Sequence, residues 1–174
     1  MSTSTNRANS IFSVKNLCIA GMIAALYVVL TYLSNLFGLA IGLIQFRLSE
    51  ALCILPLFTP AAIPGLFIGC ILGNLLSGSV VWDILFGSLA TLIAAILTYL
   101  CRKLPAIPRL VGGFFAPILM NTLIIPPILV YCYDVEEGYL IALLAILIGE
   151  TLSVTIAGGA LYAGLARLPK KLWE

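Results

Sequence analysis

The chain has 174 residues, of which 62% are hydrophobic and only 9% are charged, and its mean hydropathy is +1.17. This composition excludes a water-soluble domain, and a formal net charge of +2 leaves no basic surface for binding nucleic acid. The absence of histidine removes the commonest metal ligand and the commonest general base at neutral pH. We therefore expect one membrane-embedded domain without a metal site.

Six apolar segments predict an all-α membrane protein, because runs of about 20 apolar residues span a bilayer core of about 30 Å. Residues 1–16 are polar and carry no signal-peptide cleavage pattern, so we interpret them as a cytoplasmic segment. A single transmembrane domain is expected over residues 17–166, followed by a basic cytoplasmic tail over 167–174. The segments are Leu17–Gly38, Leu48–Phe58, Ala61–Ser77, Ile84–Leu100, Leu110–Cys132 and Tyr139–Leu165.

The topology depends on Leu48–Phe58, which as an α-helix would cover only about half of the bilayer core. Lys and Arg mark the cytoplasmic side of a membrane protein. If all six segments cross and the amino terminus is inside, every basic residue lies inside except Arg47. If the short segment does not cross, the later basic residues move outside. The charges therefore predict six transmembrane helices with both termini in the cytoplasm.

Polar residues within the apolar segments predict a binding pocket in the outer half of the bundle. Burying such residues in a bilayer costs free energy unless they are paired or hydrated, so they often serve a function. Carboxylates accept parallel N–H bonds, amides both donate and accept, and an indole stacks on a flat ring, so the set suits a small planar heterocycle. For the asparagines a helix–helix hydrogen bond is the structural alternative. The expected site residues are Gln45, Arg47, Glu50, Asn74, Trp82, Asp83, Asn121 and Glu150.

Two stripes of small residues predict close contacts between helices. In the third segment, small residues recur at every fourth position from Ala61 to Ser77. In the first segment, Ala20 and Ala24 repeat at the same spacing, with Gly21 and Ala25 beside them. Such stripes let two helix backbones approach closely in lipid. Packing within the fold and docking of another membrane subunit both remain open for the first segment.

Several catalytic motifs are absent from this sequence. It contains no Gly-x-x-x-x-Gly-Lys-[Ser/Thr] phosphate loop, no Gly-x-Ser-x-Gly nucleophile turn and no His-Glu-x-x-His zinc motif. We therefore expect a protein that is not an enzyme and that has no cofactor. A binding subunit for a small solute is the first interpretation. A self-sufficient small-solute or proton-coupled carrier, with Glu150 as the proton relay, is the alternative.

Four runs of this sequence resemble the QueT family: Ile-Gln-Phe-Arg-Leu-Ser-Glu-Ala-Leu at 44–52, Leu-Phe-Thr-Pro-Ala-Ala-Ile-Pro-Gly-Leu-Phe-Ile-Gly-Cys at 57–70, Asp-Ile-Leu-Phe-Gly-Ser-Leu-Ala-Thr-Leu at 83–92, and Ile-Gly-Glu at 148–150. Members of that family are substrate-binding S components of energy-coupling factor transporters. The resemblance implies six transmembrane helices around an outward-opening pocket. The implied cargo is a 7-deazaguanine precursor of queuosine, namely queuine, preQ0 or preQ1.

The resemblance also implies partners, whereas the ligand contacts expected of single polar residues follow from their depth and chemistry. A membrane coupling subunit and two ATPase subunits would supply the energy, and Ala20 and Ala24 would dock on the coupling subunit. Glu150 would accept the adjacent N–H bonds of the deazaguanine ring, with Asn121 and Asn74 around that ring. Glu50 would contact a cationic aminomethyl group where the ligand has one, and Arg47 would hold Glu50.

Overall fold

The computed structural model describes residues 13–40, 44–132 and 138–167, and this part of the chain is helical, without β-strands. Most of the predicted segments 1–16 and 167–174 lies outside these residues. The α-helices are α1 (Val14–Leu36), α2 (Ala62–Leu76), α3 (Val81–Cys101), α4 (Ala106–Cys132), α5 (Tyr139–Leu152) and α6 (Gly159–Leu165). A 3₁₀ helix (Leu48–Leu57) precedes α2, and a π-helical turn (Ser153–Gly158) joins α5 to α6.

Four helical stretches of the described chain are long and apolar enough to cross a membrane: Val14–Leu36, Val81–Cys101, Ala106–Tyr131 and Tyr139–Leu165. Leu48–Leu57 and Ala62–Leu76 are also apolar but shorter. The large apolar side chains exposed on the long helices suit contact with lipid, as expected for a membrane bundle. The prediction of an all-α membrane protein is thus confirmed.

Helices α1 and α2 run parallel and make a close backbone contact. Gly65 lies against the carbonyl oxygen of Ala20, and Gly69 lies against Ala24 and Tyr27. One turn further along both helices, Gly73 lies against Thr31. A Cβ atom on these glycines would collide with α1, so the absence of a side chain allows the two helix backbones to approach closely.

The 3₁₀ helix returns the chain between these two parallel helices. It starts beside the far end of α1, where the Leu48 amide donates to the hydroxyl of Ser34 at 2.9 Å, and it ends just before α2, near the level of Ala20. Ten residues at about 2.0 Å each cover about 20 Å, which matches the rise of α1 over the same distance. Residues 49–57 are all buried, so this short helix forms the centre of the bundle.

The remaining helices surround that centre. Helix α4 is antiparallel to α3, since Gly112 contacts Cys101 whereas Ile125 lies near Gly87. The α5–α6 rod is parallel to the 3₁₀ helix, since Gly149 contacts Gln45 and Gly158 approaches Ala51 further along. The main apolar core joins α1, the 3₁₀ helix, α2 and α3 through Ile23, Tyr27, Leu52, Cys53, Leu55, Ala62, Leu66, Cys70 and Ala95.

Candidate functional site

A small cavity lies among α2, α3, α4, α5 and the chain that leads into the 3₁₀ helix. It has room for about one water molecule. Its walls combine charged, amide and apolar side chains, which is the character of a small-molecule site. The lining residues are Gln45, Arg47, Glu50, Cys70, Gly87, Thr91, Asn121, Ile125, Ile146 and Glu150.

Glu50 is held by neutral donors inside the bundle. The phenol of Tyr27 donates to its Oε1 at 2.7 Å, and the thiol of Cys53 and the amide of Asn121 donate to its Oε2 at 3.1 and 3.3 Å. Glu50 is 2% exposed, and Tyr27 is 1% exposed. Because both carboxylate oxygens already accept bonds from the protein, Glu50 fixes the position of Asn121 as well as lining the cavity.

Glu150 differs from Glu50 in its bonding. Its side chain lines the cavity and is 7% exposed, yet its Oε2 has no hydrogen-bond partner among the described residues. It lies eleven residues into α5 from Tyr139, about 16 Å along the helix and close to the middle of a bilayer core. A buried carboxylate oxygen without a donor is unfavourable by several kcal/mol, so Oε2 is free to accept a bond from a water or a ligand in the cavity.

The segment before the 3₁₀ helix closes one side of the cavity. The backbone amide of Arg47 donates to the hydroxyl of Ser153 at 3.0 Å, and the Gln45 carbonyl oxygen lies against Gly149. A Cβ atom on Gly149 would overlap the Gln45 backbone, so this position requires glycine for the segment to reach α5. The contact brings Gln45 and Arg47 to the same cavity as Glu150.

Helix α3 presents one polar face to the site at intervals of four residues. Asp83 lies 3.9 Å from the Arg47 guanidinium, measured between Oδ2 and the nearest terminal nitrogen. One turn later, the missing side chain of Gly87 leaves space in the cavity wall. The Thr91 hydroxyl then donates to the Gly87 carbonyl at 3.0 Å and contacts the sulfur of Cys70 at 3.4 Å.

The structure brings most of the expected site residues together. Gln45, Arg47, Glu50, Asn121 and Glu150 line the cavity directly. Asp83 joins them through Arg47, and Asn74 lies just behind the wall, where its amide contacts Cys70 at 3.5 Å. Trp82 does not line the cavity: it is 52% exposed and stacks on Phe86 at a centroid distance of 6.0 Å.

Sequence reasoning missed several residues of the site. The expected site included no cysteine, yet Cys53 donates to Glu50 and Cys70 lines the cavity. The four-residue spacing of Asp83, Gly87 and Thr91 was a detectable signal of one helix face. Tyr27 gave no such signal, because its role depends on the return of the 3₁₀ helix beside α1.

The expected docking residues lie at the contact between α1 and α2. Ala20 and Ala24 are 6% and 7% exposed and pack against Gly65 and Gly69 of the same chain. Their placement is that of an internal packing face, since a residue covered by α2 offers no surface to another subunit. Gly21, in the neighbouring register, is exposed instead.

Comparisons with known proteins point to one family. A family model described as QueT transporter matches residues 17–167. A queuosine precursor transporter, QueT, from Lactococcus lactis subsp. cremoris is 42% identical over 72 residues, which are 41% of this chain and 42% of that relative. The match thus spans less than half the length of the curated relative. No solved structure matches the chain.

Proposed function

The chain belongs to the QueT transporter family, and from that premise we propose that it is the membrane-embedded substrate-binding subunit for uptake of a 7-deazaguanine queuosine precursor. It is a multi-pass protein of the bacterial cell membrane and a transport protein, not an enzyme. The name of the Lactococcus relative supports the cargo class, and the polar cavity supports a small planar ligand.

One observation carries the proposal for the site: the buried Oε2 of Glu150 faces the cavity and has no hydrogen-bond donor within the described part of the chain. A 7-deazaguanine ring has an amide N–H and an exocyclic amine side by side. One carboxylate accepts both bonds in a bidentate arrangement, as it does with an arginine. An analogue without these donors would leave Glu150 unpaired, so the site would reject it strongly.

The other polar residues would complete the contacts around the ring. Asn121, held by Glu50, and Gln45 both line the cavity and would meet the remaining polar edges. Arg47 would point at the ring carbonyl, and Asn74 would support the wall through Cys70. Because the cavity has room for about one water molecule, the ligand enters only if the surrounding helices and the segment at Gln45 separate.

We further propose six membrane crossings with both termini in the cytoplasm. The parallel α1 and α2 require the intervening 3₁₀ helix to return across the bundle, which supports its assignment as the second crossing. The cavity then lies in the outer half. The basic residues Lys15, Arg102, Lys103, Arg109 and Arg167 lie at the helix ends away from it, as expected for a cytoplasmic face.

Titration calorimetry of the purified full chain in nanodiscs tests the binding role. We expect 7-deazaguanine bases to bind without nucleotide, and Glu150→Gln to weaken binding at least 30-fold, because the new amide presents a donor where an acceptor is needed. Ser88→Ala is the matched control, since Ser88 is buried on α3 but bonds only within its helix, to Ile84. Unchanged affinity in Glu150→Gln would remove Glu150 from the site.

The proposed partners are a membrane coupling subunit and two ATPase subunits, which would release the bound cargo inward. Uptake into proteoliposomes should require the coupling subunit, both ATPases and ATP. The alternative, a self-sufficient carrier with Glu150 as proton relay, predicts uptake by this chain alone under a proton gradient. The same experiment therefore separates the two functions.

A further inference from the structure

Three basic side chains lie together where α3 connects to α4, at the end of the bundle away from the cavity. Arg102 and Lys103 follow the last residue of α3, and Arg109 lies in the first turn of α4. Gly112 lies against the sulfur of Cys101, so the start of α4 packs on the end of α3. Arg109 precedes Gly112 by three residues and therefore shares this face of α4. The three basic residues are called the basic turn below.

No carboxylate of the described chain balances the basic turn. The acidic residues that the structure describes, Glu50, Asp83 and Glu150, all lie at the cavity. Arg102 follows Asp83 by nineteen residues, which places it about 28 Å further along the axis of α3. Asp83 pairs with Arg47 instead, and within the described residues no member of the basic turn forms an ion pair. Three positive charges are therefore left uncompensated at this corner.

The two arginines of the basic turn are suited to binding an anion. The Nε of Arg109 is shielded from solvent and has no hydrogen-bond acceptor in the part of the chain that the structure describes. Because a guanidinium stays ionised, a shielded N–H of this group is unfavourable until an oxygen reaches it. The guanidinium of Arg102 lies over the ring of Tyr99, 4.4 Å from the centroid. This stacking orients the group and uses its flat face, so its in-plane N–H groups can still bind oxygen atoms.

The surroundings of the basic turn favour a lipid over a free anion. Four large apolar side chains beside it, Leu100, Leu104, Ile107 and Val111, are between 46% and 78% exposed. Cations at the ends of membrane helices lie at the depth of the headgroups, whereas exposed apolar side chains next to them contact acyl chains. An anionic phospholipid supplies a phosphate, a net negative charge and acyl chains in one molecule. A free phosphate ion would leave the apolar side chains uncovered.

We propose that the basic turn binds the headgroup of an anionic phospholipid, with the phosphate between Arg102 and Arg109 and with Lys103 at its edge. The Nε of Arg109 then gains the acceptor that it lacks within the described chain. Arginine and phosphate form parallel N–H···O bonds, which fixes the headgroup in place. Basic pockets between membrane helices are suited to such headgroups. The site is remote from the cavity, so this inference does not depend on the cargo of the proposed function.

Titration of phospholipids onto the delipidated full chain in detergent tests the inference, with native mass spectrometry to count bound lipids. Phosphatidylcholine is the matched ligand for phosphatidylglycerol, because it has the same phosphate and the same chains but no net charge. We expect phosphatidylglycerol to bind at least tenfold more tightly, and inorganic phosphate not to displace it. Equal binding of the two lipids would overturn the inference and leave an acidic surface of a partner subunit as the occupant. Displacement by inorganic phosphate would identify a site for a free anion and would also overturn it.

Matched charge variants separate a defined site from general attraction to a positive surface. Arg102→Gln combined with Arg109→Gln should weaken phosphatidylglycerol binding about tenfold or more. Lys15→Gln combined with Arg167→Gln removes two exposed charges from the same end of the bundle and should leave the affinity nearly unchanged. Equal losses in the two double variants would refute a site at the basic turn.

Arg102→Lys combined with Arg109→Lys keeps the net charge and tests the pairing geometry even where the glutamine variant does not fold. We expect several-fold weaker binding of phosphatidylglycerol, because an ammonium acts as a point charge whereas a guanidinium forms two parallel bonds to phosphate. Unchanged affinity would contradict the assignment of the phosphate to the two arginines. None of these titrations contains a deazaguanine base, so a negative result leaves the proposed function intact.

Discussion

Replacing Gly149 with alanine would place a methyl group against the backbone of Gln45. The alanine Cβ would overlap the Gln45 carbonyl oxygen and lie 3.1 Å from the Gln45 carbonyl carbon and 3.2 Å from its nitrogen, whereas carbon atoms prefer contacts of about 3.5–4.0 Å. No rotamer change relieves a contact with backbone, so the segment must move away from α5. That movement breaks the bond from the Arg47 amide to Ser153, which is 3.0 Å long.

The expected cost follows from these contacts. Overpacking costs about 1–3 kcal/mol, and the lost hydrogen bond adds about 0.5–1.5 kcal/mol. Alanine regains about 0.5–1 kcal/mol over glycine in a helix. The net loss of stability should be about 2 kcal/mol. Affinity for 7-aminomethyl-7-deazaguanine should fall at least tenfold, because Gln45 and Arg47 leave the cavity wall.

Gly159→Ala is the matched control for this experiment. Gly159 begins α6 in the same helical rod, and a Cβ there meets nothing within 4 Å. Unfolding by denaturant in detergent micelles measures the stability of both variants, and calorimetry measures their affinity. We expect Gly159→Ala to match or exceed the unaltered protein in stability and to bind normally. If Gly149→Ala behaves in the same way, the segment is not seated on α5 as described.

Three further substitutions test other contacts of the fold and the site. Tyr27→Phe removes the 2.7 Å donor to Glu50 and should cost about 1.5–3 kcal/mol in denaturant unfolding; an unchanged midpoint would show that Glu50 does not need this donor. Gly69→Ala brings a Cβ within 2.7 Å of the Cβ of Tyr27 and should destabilise the protein by about 1–3 kcal/mol in the same assay. The control, Gly21→Ala, places its Cβ in open space and should leave the stability unchanged. Equal effects of the two variants would refute the close contact of α1 with α2. Gly87→Ala puts a methyl into the cavity wall and should lower ligand affinity at least tenfold with little change in unfolding, a result that normal affinity in calorimetry would contradict.

The sequence was sufficient to predict the helical membrane class and five of the ten residues that line the cavity. Glu50, Asn121 and Glu150 were identified because polar side chains are rare in such apolar segments, and all three were expected in the outer half of the bundle. The structure places all three in the wall of one cavity. Depth along a helix is readable from sequence, since each residue adds a fixed rise.

What the sequence could not supply was the side of each helix that faces a neighbour. Ala20 and Gly21 are adjacent and similarly small, yet one packs against α2 and the other is exposed. Trp82 was expected at the site beside Asp83, but successive helical residues point about 100° apart, and only Asp83 turns inward. The hydrogen bond from Tyr27 to Glu50 could not be predicted from the sequence either, because the two residues lie 23 positions apart in the chain.

The 3₁₀ geometry of Leu48–Leu57 determines the distance over which the chain returns from the end of α1 to the start of α2. The same ten residues wound as an α-helix would be about 5 Å shorter, because their rise per residue drops from about 2.0 to 1.5 Å. Glu50 and Arg47 would then be drawn away from Tyr27 and Ser153, and the link to Thr59 would be stretched. Leu48–Leu57 therefore cannot take up α-helical geometry without loss of the contacts that hold Glu50 and Arg47 at the cavity.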